Sequence, residues 1–184
     1  MATHRVGYIV GSLARASINR RLAQALVRLA PAGMTLAEIA IRDLPLYSYD
    51  YDANYPAPAR AFKKAIAESD ALLFVTPEYN RGIPGGLKNA IDWGSRPKGS
   101  NAFAHKPSAV IGASPGKIGT AVAQRELHSV LGAVASPQMV SPEAYVQFTP
   151  ELIDDEGQVA DAGTQAFLGK FLAAFQKYLD RQLG

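Results

Sequence analysis

"DALLFVTPEYNRGIPGGLKNAIDW" (residues 70–93) changes character twice within 24 residues. Residues 70–76 form a continuous apolar run, the pattern of a central strand covered on both faces of a parallel sheet. Residues 84–96 read as a helix opening on glycines and carrying apolar residues at helical spacing. Between them stand Pro77, Glu78, Tyr79, Asn80 and Arg81, followed by Gly82. A turn asks for proline, asparagine and glycine; it does not ask for a carboxylate and a phenol. Loops at strand ends are where a rigid scaffold carries its function.

The rest of the chain repeats this strand–loop–helix unit. Strands are predicted at 5–12, 34–41, 70–76, 106–114 and within 138–148. Helices are predicted at 17–30, 59–69, 84–96, 117–134 and 161–184, the first with Ser17 as N-cap. Residues 42–58 read as a loop, with three prolines and four tyrosines. Strict alternation of strand and helix argues for an α/β fold with a parallel sheet. Five strands fit a flavodoxin-like, doubly wound five-stranded sheet of order 2-1-3-4-5 with helices on both faces. No repeat or linker divides residues 1–184, so a single domain is expected.

Composition excludes several functions. With no cysteine there is no disulfide, thiol nucleophile or thiolate metal site, and the three histidines lack ligand spacing, so no metal is expected. The net charge of +3 comes from dispersed Lys and Arg with no groove-reading motif, which argues against nucleic acid. No apolar run is long enough for a bilayer, and the first residues do not read as a signal peptide. A cytoplasmic protein away from membranes is expected.

In a doubly wound sheet, ligands bind beyond the carboxyl ends of the strands. Three loops qualify: 11–19, 76–86 and 112–119. The first, "GSLARASIN", offers Ser12 and Ser17 hydroxyls, the Arg15 cation, the Asn19 amide and the N–H groups that open the next helix. These suit a phosphate, although the same residues serve an ordinary capped helix. Neither G-x-G-x-x-G nor G-x-x-x-x-G-K-[ST] is present. The second and third loops are glycine-rich, and glycine lets a flat ring approach backbone closely.

On these motifs the sequence resembles the NADPH-dependent FMN reductase family of flavodoxin-like quinone, azo and chromate reductases, over nearly the whole chain. "GSLARASIN" resembles its phosphate loop, "TPEYNRGIPGGLKNAIDW" its flavin-ring loop and following helix, and "GASPGKIGTAVAQ" its third loop. The resemblance implies bound FMN, with NADPH or NADH as electron donor. It implies that Ser12, Arg15, Ser17, Ile18 and Asn19 hold the phosphate. Pro77, Glu78, Tyr79 and Asn80 would run along the isoalloxazine, with Ser114 and Gly116 on its other side. Tyr79 and Arg81 would meet the substrate. Two positions depart from the family pattern: Ala14 precedes Arg15 where many relatives place arginine directly after leucine, and Arg81 replaces a tyrosine found in several.

The activity implied is ping-pong hydride transfer from NAD(P)H to small acceptors: quinones, or azo compounds, chromate or free flavin. The flavin carries the redox chemistry, so no catalytic side chain is expected. The alternative is a flavodoxin-like electron carrier without reductase activity. A homodimer or homotetramer is also expected, from family resemblance and from Leu87, Ala90, Ile91 and Trp93, more apolar surface than one core face needs.

Overall fold

The computed structural model describes residues 3–184. The apolar run becomes β3 (Ala71–Val75), every residue of which is buried. It lies between β1 (His4–Val10) and β4 (Ser108–Ser114), parallel to both, with Leu73 opposite Tyr8 on one side and Ala109 on the other. Beyond β1 lies β2 (Met34–Glu38), His4 pairing with Met34. The order is the expected 2-1-3-4-5.

The alternation of side chains along β3 builds two cores. Ala71, Leu73 and Val75 join Leu22 and Leu26 of α1 (Ile18–Arg28) and Phe171, Leu172 and Phe175 of α5 (Ala162–Leu183). Leu72 and Phe74 join the other face. There they meet Phe62 and Ile66 of α2 (Ala57–Glu68), Leu87 and Ile91 of α3 (Gly85–Ser95), and Leu127 and Leu131 of α4 (Ala121–Ala133). Burying one such side chain contributes roughly 1.5–3 kcal/mol, which is why a strand covered on both faces dominates the fold.

Two expectations are corrected. The strand within 138–148 is two short pieces, β5 (Gln138–Met139) and β6 (Tyr145–Gln147), both pairing with β4 and making six strands among the described residues. Pro142 lies in the gap and has no N–H to give a ladder. The fourth helix starts at Ala121, not 117, because Gly119 sits at φ +60°, outside helical geometry. Residues 115–120 therefore belong to the loop.

Residues 42–58 wrap the end of α3. Tyr47, Tyr51 and Tyr55 surround Trp93 with ring centroids 5.1, 5.6 and 5.0 Å away. The Trp93 indole N–H donates to the Pro45 carbonyl at 2.6 Å. Leu87, Ala90, Ile91 and Trp93 are thus buried inside the chain. The apolar surplus read from the sequence is absorbed within the chain, Leu87, Ala90 and Ile91 in the core cluster of Leu72 and Phe74 and Trp93 under the tyrosine loop, and it is not evidence for a subunit contact.

Candidate functional site

Parallel β1, β3 and β4 deliver the loops after them to one edge. The Gly11 N–H donates to the Val75 carbonyl at 2.9 Å and the Thr76 N–H to the Ile111 carbonyl at 3.0 Å, so the loop bases are stitched together by backbone. Gly112 is needed at this seam: a Cβ there would lie 2.1 Å from the Thr76 carbonyl oxygen and 2.3 Å from the Thr120 hydroxyl.

The first loop leads into α1. Ser17 is its N-cap residue, extended and buried, but its hydroxyl does not cap the helix. The first intrahelical acceptor, the Ser17 carbonyl, takes the N–H groups of Arg20 and Arg21. The N–H groups of Ile18 and Asn19, one turn earlier, have no intrahelical carbonyl to reach. With exposed Arg15 beside them, these groups present hydroxyl, backbone donors and cation to one recess. That recess, about 340 Å³, is lined by Arg15, Ala16, Ser17, Arg20, Arg21, Gln24 and Asp155. Two of its arginines already have carboxylate partners: Arg20 contacts Glu38 at 2.9 Å and Arg21 contacts Asp155 at 2.5 Å. Among the described residues that line the recess, Arg15 is the arginine without a carboxylate partner.

Asn19 behaves differently from the expectation. Its fully buried amide donates to the Ala113 carbonyl and accepts from the Ala113 N–H, each at 2.9 Å. It bolts α1 to β4; only its backbone N–H faces the helix start. Ser12 is buried, its hydroxyl accepting from the Ala14 N–H at 3.3 Å and lying 3.3 Å from the Tyr79 hydroxyl. Tyr79, about half exposed, therefore crosses from the second loop to the first.

The second loop is a tight hairpin turn. Tyr79 and Gly82 exchange N–H···O bonds in both directions at 3.0 Å. The residues between them, Asn80 and Arg81, have φ of 52° and 66°, as the mirror-image two-residue turn requires. An arginine in the left-handed region costs about 1 kcal/mol or more, so its surroundings must hold it there.

Glu78 does much of that holding. Its carboxylate, 6% exposed, accepts from the Val122 and Ala123 N–H groups at 3.0 and 3.1 Å and from the Arg81 guanidinium at 2.9 Å. The side chain of Glu78 is thus engaged with α4 and Arg81. Thr120, the N-cap residue of α4, makes no side-chain cap, and Glu78 fills that role from 44 residues away. A second strut runs beside it, from the Ile83 N–H to the Glu126 carboxylate at 2.8 Å.

Between the second and third loops lies a cleft of about 390 Å³. Asn80 and Arg81 line one wall, Ser114, Gly116, Lys117, Ile118 and Gly119 the other, and Glu78 its floor. The Ser114 hydroxyl accepts from the Gly116 N–H at 3.1 Å, shaping that wall. Pro77 is buried behind it. Next to the third loop, Tyr145 stands opposite Gly112 in the sheet. Burial, then the Glu143 carboxylate, pushes Tyr145 up to about 12, so it remains a neutral phenol at ordinary pH.

Of the sequence-predicted residues, Arg15 and Ser17 line the recess, Glu78, Asn80, Arg81, Ser114 and Gly116 line the cleft, and Ser12 and Tyr79 bridge the first two loops; Ile18 and Pro77 line neither space, and the Asn19 amide is spent on Ala113. Glu126, Lys117 and Arg42, whose guanidinium donates to the Leu13 carbonyl, are additions. No local signal marks Glu126, because its partner Ile83 is 43 residues away. Among the described residues, no group of three or more His, Asp or Glu is placed to hold a metal, and no helix is long and apolar enough to cross a membrane.

The recess and cleft fit FMN in kind: an anion site at a helix start and, at loops of the same sheet edge, a space walled by two loops for a flat ring. Comparison with known proteins agrees. The model of the NADPH-dependent FMN reductase family matches residues 4–151. A Burkholderia protein named 2-hydroxy-1,4-benzoquinone reductase is 44% identical over 97% of this chain and 98% of its own. A quinone reductase of Pseudomonas putida is 45% identical over 96% of this chain and 95% of its own. The solved structure of FerB, a flavoenzyme NAD(P)H:(acceptor) oxidoreductase from Paracoccus denitrificans, superposes with a TM-score of 0.94. It is 42% identical and covers 98% of this chain and 99% of its own.

Proposed function

The chain belongs to the NADPH-dependent FMN reductase family, and from that premise we propose an FMN-dependent oxidoreductase that carries electrons from NAD(P)H to quinones. The observation that supports it most directly is the recess at the start of α1, its Ser17 hydroxyl not used by the helix, on the same sheet edge as the cleft between the second and third loops.

Bound FMN would supply two-electron chemistry, taking hydride from a nicotinamide and giving it to a quinone. The protein's part is holding and orienting. Ser12, Arg15, Ser17 and the Ile18 and Asn19 N–H groups would hold the phosphate. The backbone of Pro77, Glu78, Tyr79 and Asn80 would run along the ring, with Ser114 and Gly116 on the far wall. Tyr79, about half exposed, and Arg81, on the cleft wall, would meet donor and acceptor. With no second nucleotide motif in the sequence to hold both substrates together, donor and acceptor would use the cleft in turn, with alignment by stacking doing most of the catalysis.

Two measurements test this. Purified protein should take up one FMN per chain at micromolar concentration and oxidise NADPH or NADH with a quinone. Initial rates across both substrates should give parallel double-reciprocal lines. Flavin uptake without NAD(P)H turnover would leave the electron carrier; no uptake at all would end the flavoenzyme reading.

We propose further that residues 1–184 act as one domain in the cytoplasm and associate as a homodimer or homotetramer. With α3 absorbed in the core, the support for association shifts to Leu46, Tyr49 and Tyr51, which are 82%, 77% and 41% exposed on the loop over Trp93. Light scattering showing a monomer at micromolar concentration would refute it.

A further inference from the structure

The second loop faces two demands. It must present its backbone to a ring, yet it contains two residues in left-handed conformation and projects beyond the sheet. Such a turn keeps one geometry only if something outside it over-determines it.

We propose that Glu78 is a positioning residue: its buried carboxylate caps α4 from the second loop and thereby sets the width of the cleft. Four observations converge. The carboxylate is 6% exposed, so its orientation is not a surface accident. Both N–H groups it accepts from, Val122 and Ala123, belong to the first turn of α4, where a negative charge is favoured by the helix dipole. Thr120, at the N-cap, provides no cap of its own; its hydroxyl instead accepts from the Gln124 amide at 2.9 Å. Finally, the same carboxylate holds Arg81, whose φ of 66° needs support. Helix α4 follows directly on the third loop, so one side chain joins the two walls of the cleft. Glu126, on the next turn, holds Ile83 and prevents the loop from pivoting about Glu78.

The inference rests on the flavoenzyme reading, and Glu78 acts through the loop without touching the ring. Loss of its charge should then matter less than loss of its acceptor oxygens. In Glu78→Gln, the amide oxygen still accepts from α4, and FMN affinity and acceptor KM should stay within about threefold of the parent. In Glu78→Ala, all three charge-assisted bonds, from Val122, Ala123 and Arg81, disappear, and FMN affinity should fall about tenfold. Acceptor KM should rise in parallel, kcat at saturating FMN should change less than KM, and the visible circular dichroism of the bound flavin should change shape. Glu126→Ala should move the same quantities in the same direction by a smaller factor.

Hydrogen exchange on the flavin-free protein separates this inference from the flavoenzyme reading. Faster exchange at the Val122 and Ala123 amides in Glu78→Ala supports the cap whether or not FMN binds. Parent-like exchange there overturns it. If FMN binds and Glu78→Ala matches the parent in affinity, KM and dichroism, positioning is wrong. If Glu78→Gln is as damaged as Glu78→Ala, the charge acts directly and positioning is again wrong. Should Glu78→Ala not fold, Glu78→Gln and Glu126→Ala decide: near-parent affinity in the first with weakened affinity in the second supports the proposal, and no effect in Glu126→Ala overturns it.

Discussion

The first and second loops look equally polar in sequence but are put to opposite uses. In the first, the Ser17 hydroxyl does not cap its helix, two helix-opening N–H groups lack carbonyl partners, and Arg15 is exposed. In the second, Glu78 is fully engaged with α4 and Arg81, Tyr79 and Gly82 bond each other, and Ile83 is held by Glu126. One loop offers side chains to a ligand; the other uses its side chains as scaffold and has mainly backbone to offer. A polar residue near a site therefore has for a ligand only the hydrogen-bonding capacity that the fold has not already engaged. Asn19 and Ser17, two residues apart, fall on opposite sides of that line.

The largest effect should come from removing the seam both loops share. Gly112→Ala drives a Cβ into the Thr76 carbonyl and the Thr120 hydroxyl, and should cost about 3 kcal/mol in guanidinium unfolding. Parent-like stability would mean that the loops are not rigidly spaced. Next comes the pair that draws the line within the first loop. Asn19→Ala leaves both backbone groups of Ala113 short of their side-chain partner, and should destabilise the flavin-free protein by about 2 kcal/mol. Ser17→Ala should change flavin-free stability by less than about 0.5 kcal/mol while weakening FMN binding about tenfold, as should Arg15→Ala. Riboflavin, lacking the phosphate, should bind less tightly than FMN. Equal stability losses for Ser17→Ala and Asn19→Ala would erase the distinction.

A smaller effect tests the strained turn. Arg81→Gly relieves roughly 1 kcal/mol of left-handed strain and loses an ion pair whose arginine end is 69% exposed, worth about 0.5 kcal/mol. A slight net gain in thermal stability is expected, whereas Arg81→Ala keeps the strain, loses the pair and should be less stable than either. The smallest effect is on pH. Tyr145 has a folded value raised from 10.0 to about 12. Its contribution is therefore complete below pH 10 and lost as pH climbs towards 12, where the unfolded chain ionises first. Tyr145→Phe should flatten stability measured between pH 9 and 11.5 relative to the parent.

Much of the frame was legible in the residues. The unbroken run in β3 announced burial on both faces, and the alternation of units announced a parallel sheet whose ligand edge carries three particular loops. Boundaries were missed where a single residue overrode the pattern: Gly119 delayed α4, and the segment containing Pro142 divided the last strand. Helical spacing marks Leu87, Ile91 and Trp93 of α3 as apolar but does not say what covers them. Nothing in helical spacing says that a tyrosine loop 40 residues upstream will close over the helix.

What the sequence alone determined is therefore the fold and the sheet edge that carries the three candidate loops, because periodicity and turn chemistry act over a few residues and repeat often enough to reinforce one another. What only the tertiary structure decided is which polar groups remain available there. Asn19 finds its partner 94 residues away and Glu78 finds its own 44 away. A hydrogen bond consumes donor and acceptor capacity only when the folded backbone brings both within about 3 Å, and no local pattern encodes such a meeting.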